Sequence, residues 1–108
     1  MIQRLRGRDE FTRLRREGTR VRSGAVWCVM VADPSLDAPQ VAFAIGRTAG
    51  TAVARNRARR RLREILRTHA CTVVPGLYLW GLTKPAATVT YEELATAVPG
   101  VLAKLSRS

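Results

Sequence analysis

Acidic residues are scarce in this chain: eight Asp and Glu stand against nineteen Lys and Arg, which leaves a formal net charge of +11. A surplus of that size makes a polyanion the leading class of partner. The few acids fall mostly in turns and at helix starts, as with Asp9 and Glu10, Asp33 and Asp37, and Glu92 and Glu93. Neither a paired acid and base nor a nuclease metal cluster emerges from them. Lysine is nearly absent, with only Lys84 and Lys104. The positive charge is therefore almost all guanidinium, the group suited to bidentate phosphate contacts and to stacking on bases. Genome-wide compositional bias produces the same preference, so arginine content by itself does not single out RNA.

Cysteine is limited to Cys28, inside an apolar run, and Cys71. Both read as reduced, structural thiols. His69 stands near Cys71, but no second pair of ligands completes a metal site. The longest apolar run, residues 25–32, is too short to span a bilayer, and no apolar h-region follows the basic N-terminus. The expectation is a cytoplasmic protein that does not engage membranes. No repeat is visible, and 46% hydrophobic with 25% charged residues is ordinary globular composition. We expect one domain over residues 1–108, with residues 1–7, basic and without period, as a mobile arm.

What the chain does have is a dense block of charge with an apolar rhythm. At 100° per residue, Ala54, Ala58, Leu62, Ile65 and Leu66 fall on one arc, Asn56, Arg59, Arg60, Arg63 and Arg67 lie opposite, and Arg55, Arg57 and Arg61 flank the arc. A helix can bury such a stripe and hold up a row of guanidinium groups that repel one another by roughly a few tenths of a kcal/mol per i,i+4 pair. Glu64 is the only internal counter-charge. A polyanion relieves that repulsion, because phosphates neutralised by Arg release their condensed counterions. A membrane surface fits less well, since the apolar arc carries no aromatic residue.

The flanking segments supply a scaffold. A short helix starts near Asp9, with Phe11, Leu14 and Arg15 on one face, and Gly18 reads as a C′ residue closing it. Thr19 to Ala32 reads as strand, with Trp27, Val29 and Val31 on one face and Val26, Cys28 and Met30 on the other. After Asp33 and Pro34 the chain returns through Pro39 to a second long strand over residues 40–46, which predicts a hairpin. There Val41, Phe43 and Ile45 face one way, and Ala42 and Ala44 leave room on the other. Thr51 is placed to cap the basic helix, which runs to about Thr68. Leu77 to Leu82 forms a further strand, so strand, helix and strand imply a parallel crossover. Thr90 and Glu93 make a capping box that opens a last helix with Leu94, Val98, Leu102 and Leu105 as its stripe. Pro99 predicts a kink or break in it. Both Trp27 and Trp80 are expected in the core.

The run Gly50, Thr51, Ala52, Val53, Ala54, Arg55, Asn56, Arg57, followed by the basic helix to Arg63 and Glu64, resembles the signature of the bacterial ribonuclease P protein subunit. Lys84, Pro85, Ala86 before Thr90, Tyr91, Glu92, Glu93, and Glu10, Phe11 with Gly18, match that family in order and spacing. Arg47 and Thr48 stand where the family usually has two lysines, and Arg15 where it has a second aromatic residue. The resemblance implies an α+β two-layer sandwich: a four-stranded mixed sheet with three helices in the order α-β-β-β-α-β-α. A first strand near residues 19–22 and a left-handed crossover around the basic helix belong to that pattern, against the usual right-handed preference.

The resemblance also implies a function. The protein would bind the catalytic RNA of ribonuclease P and the 5′ leader of precursor tRNA, assisting endonucleolytic removal of the leader with no further protein partner. Catalytic groups and Mg2+ would sit on the RNA, and the chain itself would carry no catalytic or metal-binding residue. Arg47, Arg55, Asn56, Arg57, Arg59, Arg60, Arg61, Arg63 and Lys84 are the implied RNA contacts, and Phe11 with Arg15 the implied leader cleft. Arg55 and Arg61 have an alternative role snorkelling over the core, whereas Arg59 and Arg63 have none. The competing reading is a general basic RNA-binding or ribosomal-type module with no nuclease role. DNA reading is less favoured, because only Asn56 suits base recognition on a helix.

If about six phosphates are contacted, affinity for RNA falls on the order of a thousandfold between about 50 and 200 mM salt. Filter binding across that range checks the slope, and a flat response would exclude a phosphate-dominated interface.

Overall fold

The computed structural model describes residues 2–106. Five strands form one mixed sheet: β1 (Gln3–Arg4), β2 (Thr19–Ser23), β3 (Val26–Ala32), β4 (Gln40–Phe43) and β5 (Gly76–Leu82). Three α-helices accompany them, α1 (Arg8–Glu17), α2 (Ala52–Thr68) and α3 (Tyr91–Ser106). The order across the sheet is β1-β4-β5-β3-β2.

The apolar run of residues 19–32 divides at Gly24 and Ala25, where Gly24 takes the left-handed conformation (φ 56°) that a two-residue hairpin turn needs. β3 and β4 do not form the expected hairpin. β5 lies between them, antiparallel to β3 and parallel to β4. Seven mostly apolar residues, five of them buried, are best satisfied at the centre of the sheet, where both edges of the strand are hydrogen-bonded. The parallel crossover from β4 through α2 to β5 is present as the strand-helix-strand order required.

The N-terminal segment is the second departure. Gln3 and Arg4 form a parallel edge strand on β4, with Gln3 N–H donating to Pro39 O at 2.8 Å and Leu5 N–H to Val41 O at 2.8 Å. The sheet therefore has five strands instead of four, and the segment expected as an arm is partly sheet. Met1 lies outside the described residues.

Both faces of the sheet are covered, which departs from two layers. On one face Val26, Cys28, Val41, Tyr78 and Trp80 meet the α2 stripe together with Leu94, Val98 and Val101 of α3. On the other, Leu14 of α1 packs with Leu5, Val31 and Leu77. Strand alternation made each face apolar, so each needs a cover. Trp80 is fully buried, while Trp27 is only half-buried, on the α1 side of the sheet register. There it lies against Gly81, where any Cβ would run into the indole ring, and the Arg20 guanidinium sits 4.6 Å from its centroid.

The N-terminal caps of α2 and α3 follow their local chemistry. Thr51 Oγ1 accepts from Ala54 N–H at 3.2 Å, and Thr90 and Glu93 complete a reciprocal capping box. Gly18 ends α1, but in an extended conformation (φ −68°, ψ 143°) and not a left-handed one. Its glycine is required for space, since a Cβ there would collide with Leu14 O and the Val29 side chain. α3 runs unbroken through Pro99. Pro costs that helix one hydrogen bond, yet Leu94, Ala97 and Val98 before it and Val101 and Leu105 after it are buried and hold both halves to the sheet. Gly100 lets the helix backbone approach Ser23 of β2.

α1 is tied down by more than Leu14. Arg13 donates to Asp33 Oδ2 at 2.7 Å, joining the helix to the loop after β3. Hydrogen bonds from Ser35 and from Arg13 hold the Asp33 carboxyl at about 2, below its usual 3.8. A depressed carboxyl stabilises the fold above its unfolded value and loses that contribution as pH falls through the folded one. The melting temperature should thus drop between about pH 4 and pH 2 in the native protein, and less so in Asp33→Asn, as followed by circular dichroism.

Candidate nucleic-acid interface

The buried stripe of α2 is the predicted one: Ala54, Ala58, Leu62, Ile65 and Leu66. Docking that stripe divides the remaining surface of the helix. Arg59, Arg63 and Arg67, at i, i+4 and i+8, turn to one side and line a cleft of about 840 Å³ with Phe11 and Phe43. Arg57 and Arg61 turn to the other side and line a groove of about 510 Å³ with Val53 and Tyr91. Asn56 and Arg60 are exposed on the crest between them. The arginines therefore make two rows facing two concavities, not one ridge.

The cleft lies at the β1–β4 edge of the sheet. Val41 and the small Ala42 form part of its wall, α2 supplies three guanidinium groups and Arg4 of β1 a fourth, and Phe11 projects from α1 with 39% of its surface exposed. Leu14, 2% exposed, anchors α1 to the sheet, so Phe11 is not needed as a pin. Arg59 and Arg63, expected to have no intramolecular role, each have one. Arg59 donates to Ile45 O at 2.7 Å and to Asn56 Oδ1 at 2.7 Å. Arg63 sits 5.6 Å above the centre of the Phe43 ring, a cation–π distance. These contacts hold both guanidinium groups in the cleft wall and reduce the rotamer freedom that a ligand would have to remove. An aromatic side chain and fixed cations lining one cleft suit a single strand, with bases stacking and phosphates paired.

The other expected contacts are dispersed. Arg55 folds back, its Nε donating to Gly50 O at 3.2 Å. Arg47 is exposed in a 3-10 turn (Arg47–Ala49), and Arg15 is exposed on α1 without lining the cleft. Lys84 donates to Glu93 Oε2 at 2.6 Å, and this pairing, with the capping hydrogen bonds, lowers the Glu93 carboxyl below its ordinary value. Lys84 borders a separate hollow beside Trp27 and Gly46. His69 ends α2 with its Nδ1 2.9 Å from Ile65 O, and Cys71 is exposed. Burial pushes the Cys28 thiol far up from its usual value.

Sequence reasoning missed Arg67, Phe43 and Tyr91 as site residues. Arg67 was legible as the next i+4 step after Arg59 and Arg63. Phe43 and Tyr91 depend on which strands and helices become neighbours, and no local signal marks them.

The family model described as Ribonuclease P matches residues 2–106. The ribonuclease P protein component of Beutenbergia cavernae is 35% identical over 103 residues, spanning 94% of this chain and 87% of that one. Among solved structures, the RNase P protein of Staphylococcus aureus superposes with a TM-score of 0.84 at 20% identity, covering 94% of each chain. That of Thermotoga maritima gives 0.80 at 20% identity, over 94% of this chain and 96% of its own. At those identities the structural likeness speaks to the fold.

Arg59→Ala removes a charge-assisted bond to a backbone carbonyl and should cost about 1–3 kcal/mol of stability, whereas Arg60→Ala should stay within about 0.5 kcal/mol. Urea denaturation of the two variants distinguishes a wall residue from a free one.

Proposed function

This chain belongs to the ribonuclease P protein family, and from that premise we propose that it binds the catalytic RNA and the 5′ leader of precursor tRNA. As a ribonuclease P protein component it is an RNA-binding subunit of the tRNA-processing endonuclease. The finer assignment is that the RNA performs the cleavage, with Mg2+ held by RNA phosphates, while this chain positions the substrate.

The observation that carries the reading is the cleft that Phe11 lines together with Arg59, Arg63 and Arg67. It has the two elements that sequence-tolerant single-strand binding uses, a stacking surface and a cationic wall. Among the described residues no group of three or more His, Cys, Asp or Glu is placed to hold a metal ion. No described helix is long and apolar enough to cross a membrane. The outer row of α2, with Arg57, Arg61 and the crest residue Arg60, is left for the catalytic RNA, read by phosphate contacts and shape.

The test combines the purified protein with a ribonuclease P RNA and precursor tRNA at low magnesium, alongside protein-alone and RNA-alone controls. We expect cleavage only in the combination. Phe11→Ala should weaken the holoenzyme's affinity for leader-bearing substrate roughly 5- to 150-fold, the equivalent of one lost stacked base, and leave leaderless tRNA unaffected. Undiminished cleavage by the protein alone would overturn the assignment. RNA binding without any stimulation of cleavage would favour the general basic module.

A further inference from the structure

Among the described residues, Val53 and Tyr91 are two of the four large apolar side chains left in solvent, 68% and 46% exposed, and they line the same groove. Val53 comes from the first turn of α2 and Tyr91 from the first turn of α3, with a floor of Ala54, Ala58 and Ala86 between them. Arg57 and Arg61 form one wall. Neither is in an ion pair among the described residues, and no acid lines the groove. An exposed ring in one groove with cations that have no ion-pair partner is matched by a base with its flanking phosphates, and an acid-free wall disfavours a cationic partner.

The backbone that carries the ring is also held in place. Tyr91 follows the Thr90 cap directly, and the Glu93 that completes the capping box is itself gripped by Lys84. On the opposite side, Thr51 fixes the first turn of α2. Both walls stand on capped helix ends whose next turns are buried, so little ordering remains for a ligand to impose.

We propose that this groove takes one unstacked base of the ribonuclease P RNA, with the base against Tyr91 and Val53 and the adjoining phosphates on Arg57 and Arg61. The inference rests on the RNA-binding reading and deepens it: the catalytic RNA is gripped by a nucleotide drawn out of its stack as well as by its phosphates. The leader does not enter this groove, because the cleft that Phe11 lines is on the other flank of α2.

Equilibrium binding is measured with two probes, a ribonuclease P RNA and a single-stranded leader oligonucleotide. Tyr91→Ala should lose roughly 5- to 150-fold for the RNA and stay within about twofold for the oligonucleotide, and Tyr91→Phe should bind both as the native protein does. Arg61→Gln should lower the salt slope for the RNA by about one, while Tyr91→Ala leaves that slope unchanged. Tyr91 is half-exposed, so Tyr91→Ala should melt at the native temperature. Native affinity of Tyr91→Ala for the RNA, or equal losses for both probes, would overturn the groove assignment while leaving the parent reading intact. Failure of the native protein to bind the RNA would overturn both.

Discussion

Guanidinium groups repel one another along every turn of α2, and the rest of the structure answers to that repulsion. Seven arginines share the seventeen residues of the helix, with Glu64 as the one acid among them. Left in isolation the segment would be a poor helix. The fold offsets this by burying the aliphatic stripe against the sheet and α3, an interaction worth roughly 1.5–3 kcal/mol for each fully buried Leu or Ile. It also scatters the charge. Arg55 turns back to Gly50 O, Arg59 reaches Ile45 O, and Arg63 lies over Phe43. Of the rest, Arg67 lines the cleft, Arg57 and Arg61 line the groove, and Arg60 stays exposed on the crest.

How much could be read in advance depended on how local the cause was. The limits of α2, its Thr51 cap, its buried stripe and the Thr90–Glu93 box are set by side chains within one or two turns, and each stands where periodicity and capping chemistry put it. Sheet order is set by competition among strands far apart in the chain. The hairpin expected between β3 and β4 lost to β5, whose run from Gly76 to Leu82 pairs along the full length of β3. Pro99 is the same lesson inside one helix. Its local penalty is real, but buried residues on both sides of it outweigh one missing hydrogen bond.

The candidate site was legible in part for the same reason. The motif residues named the helix and the sign of its partner, and α1 was rightly placed as a short element dependent on docking. That Arg59 and Arg63 have intramolecular partners, that Arg67 shares their cleft, and that Tyr91 lines one groove with Arg57 and Arg61 are consequences of how α2 rolls on the sheet. The choice of which cations become wall and which stay on the crest is made by tertiary packing.

Two residues at the start of the sheet have an effect beyond their size. Gln3 and Arg4 occupy the hydrogen-bonding edge of β4, and they are followed by exposed arginines at positions 6 and 8. An open strand edge is a template on which another chain can extend the sheet. Covering it with a short, cationic stub leaves almost no backbone for a second molecule to pair with, and like charge keeps a second molecule at a distance. At this end of the sheet the segment disfavours extension by a second copy, while β2 forms the opposite edge.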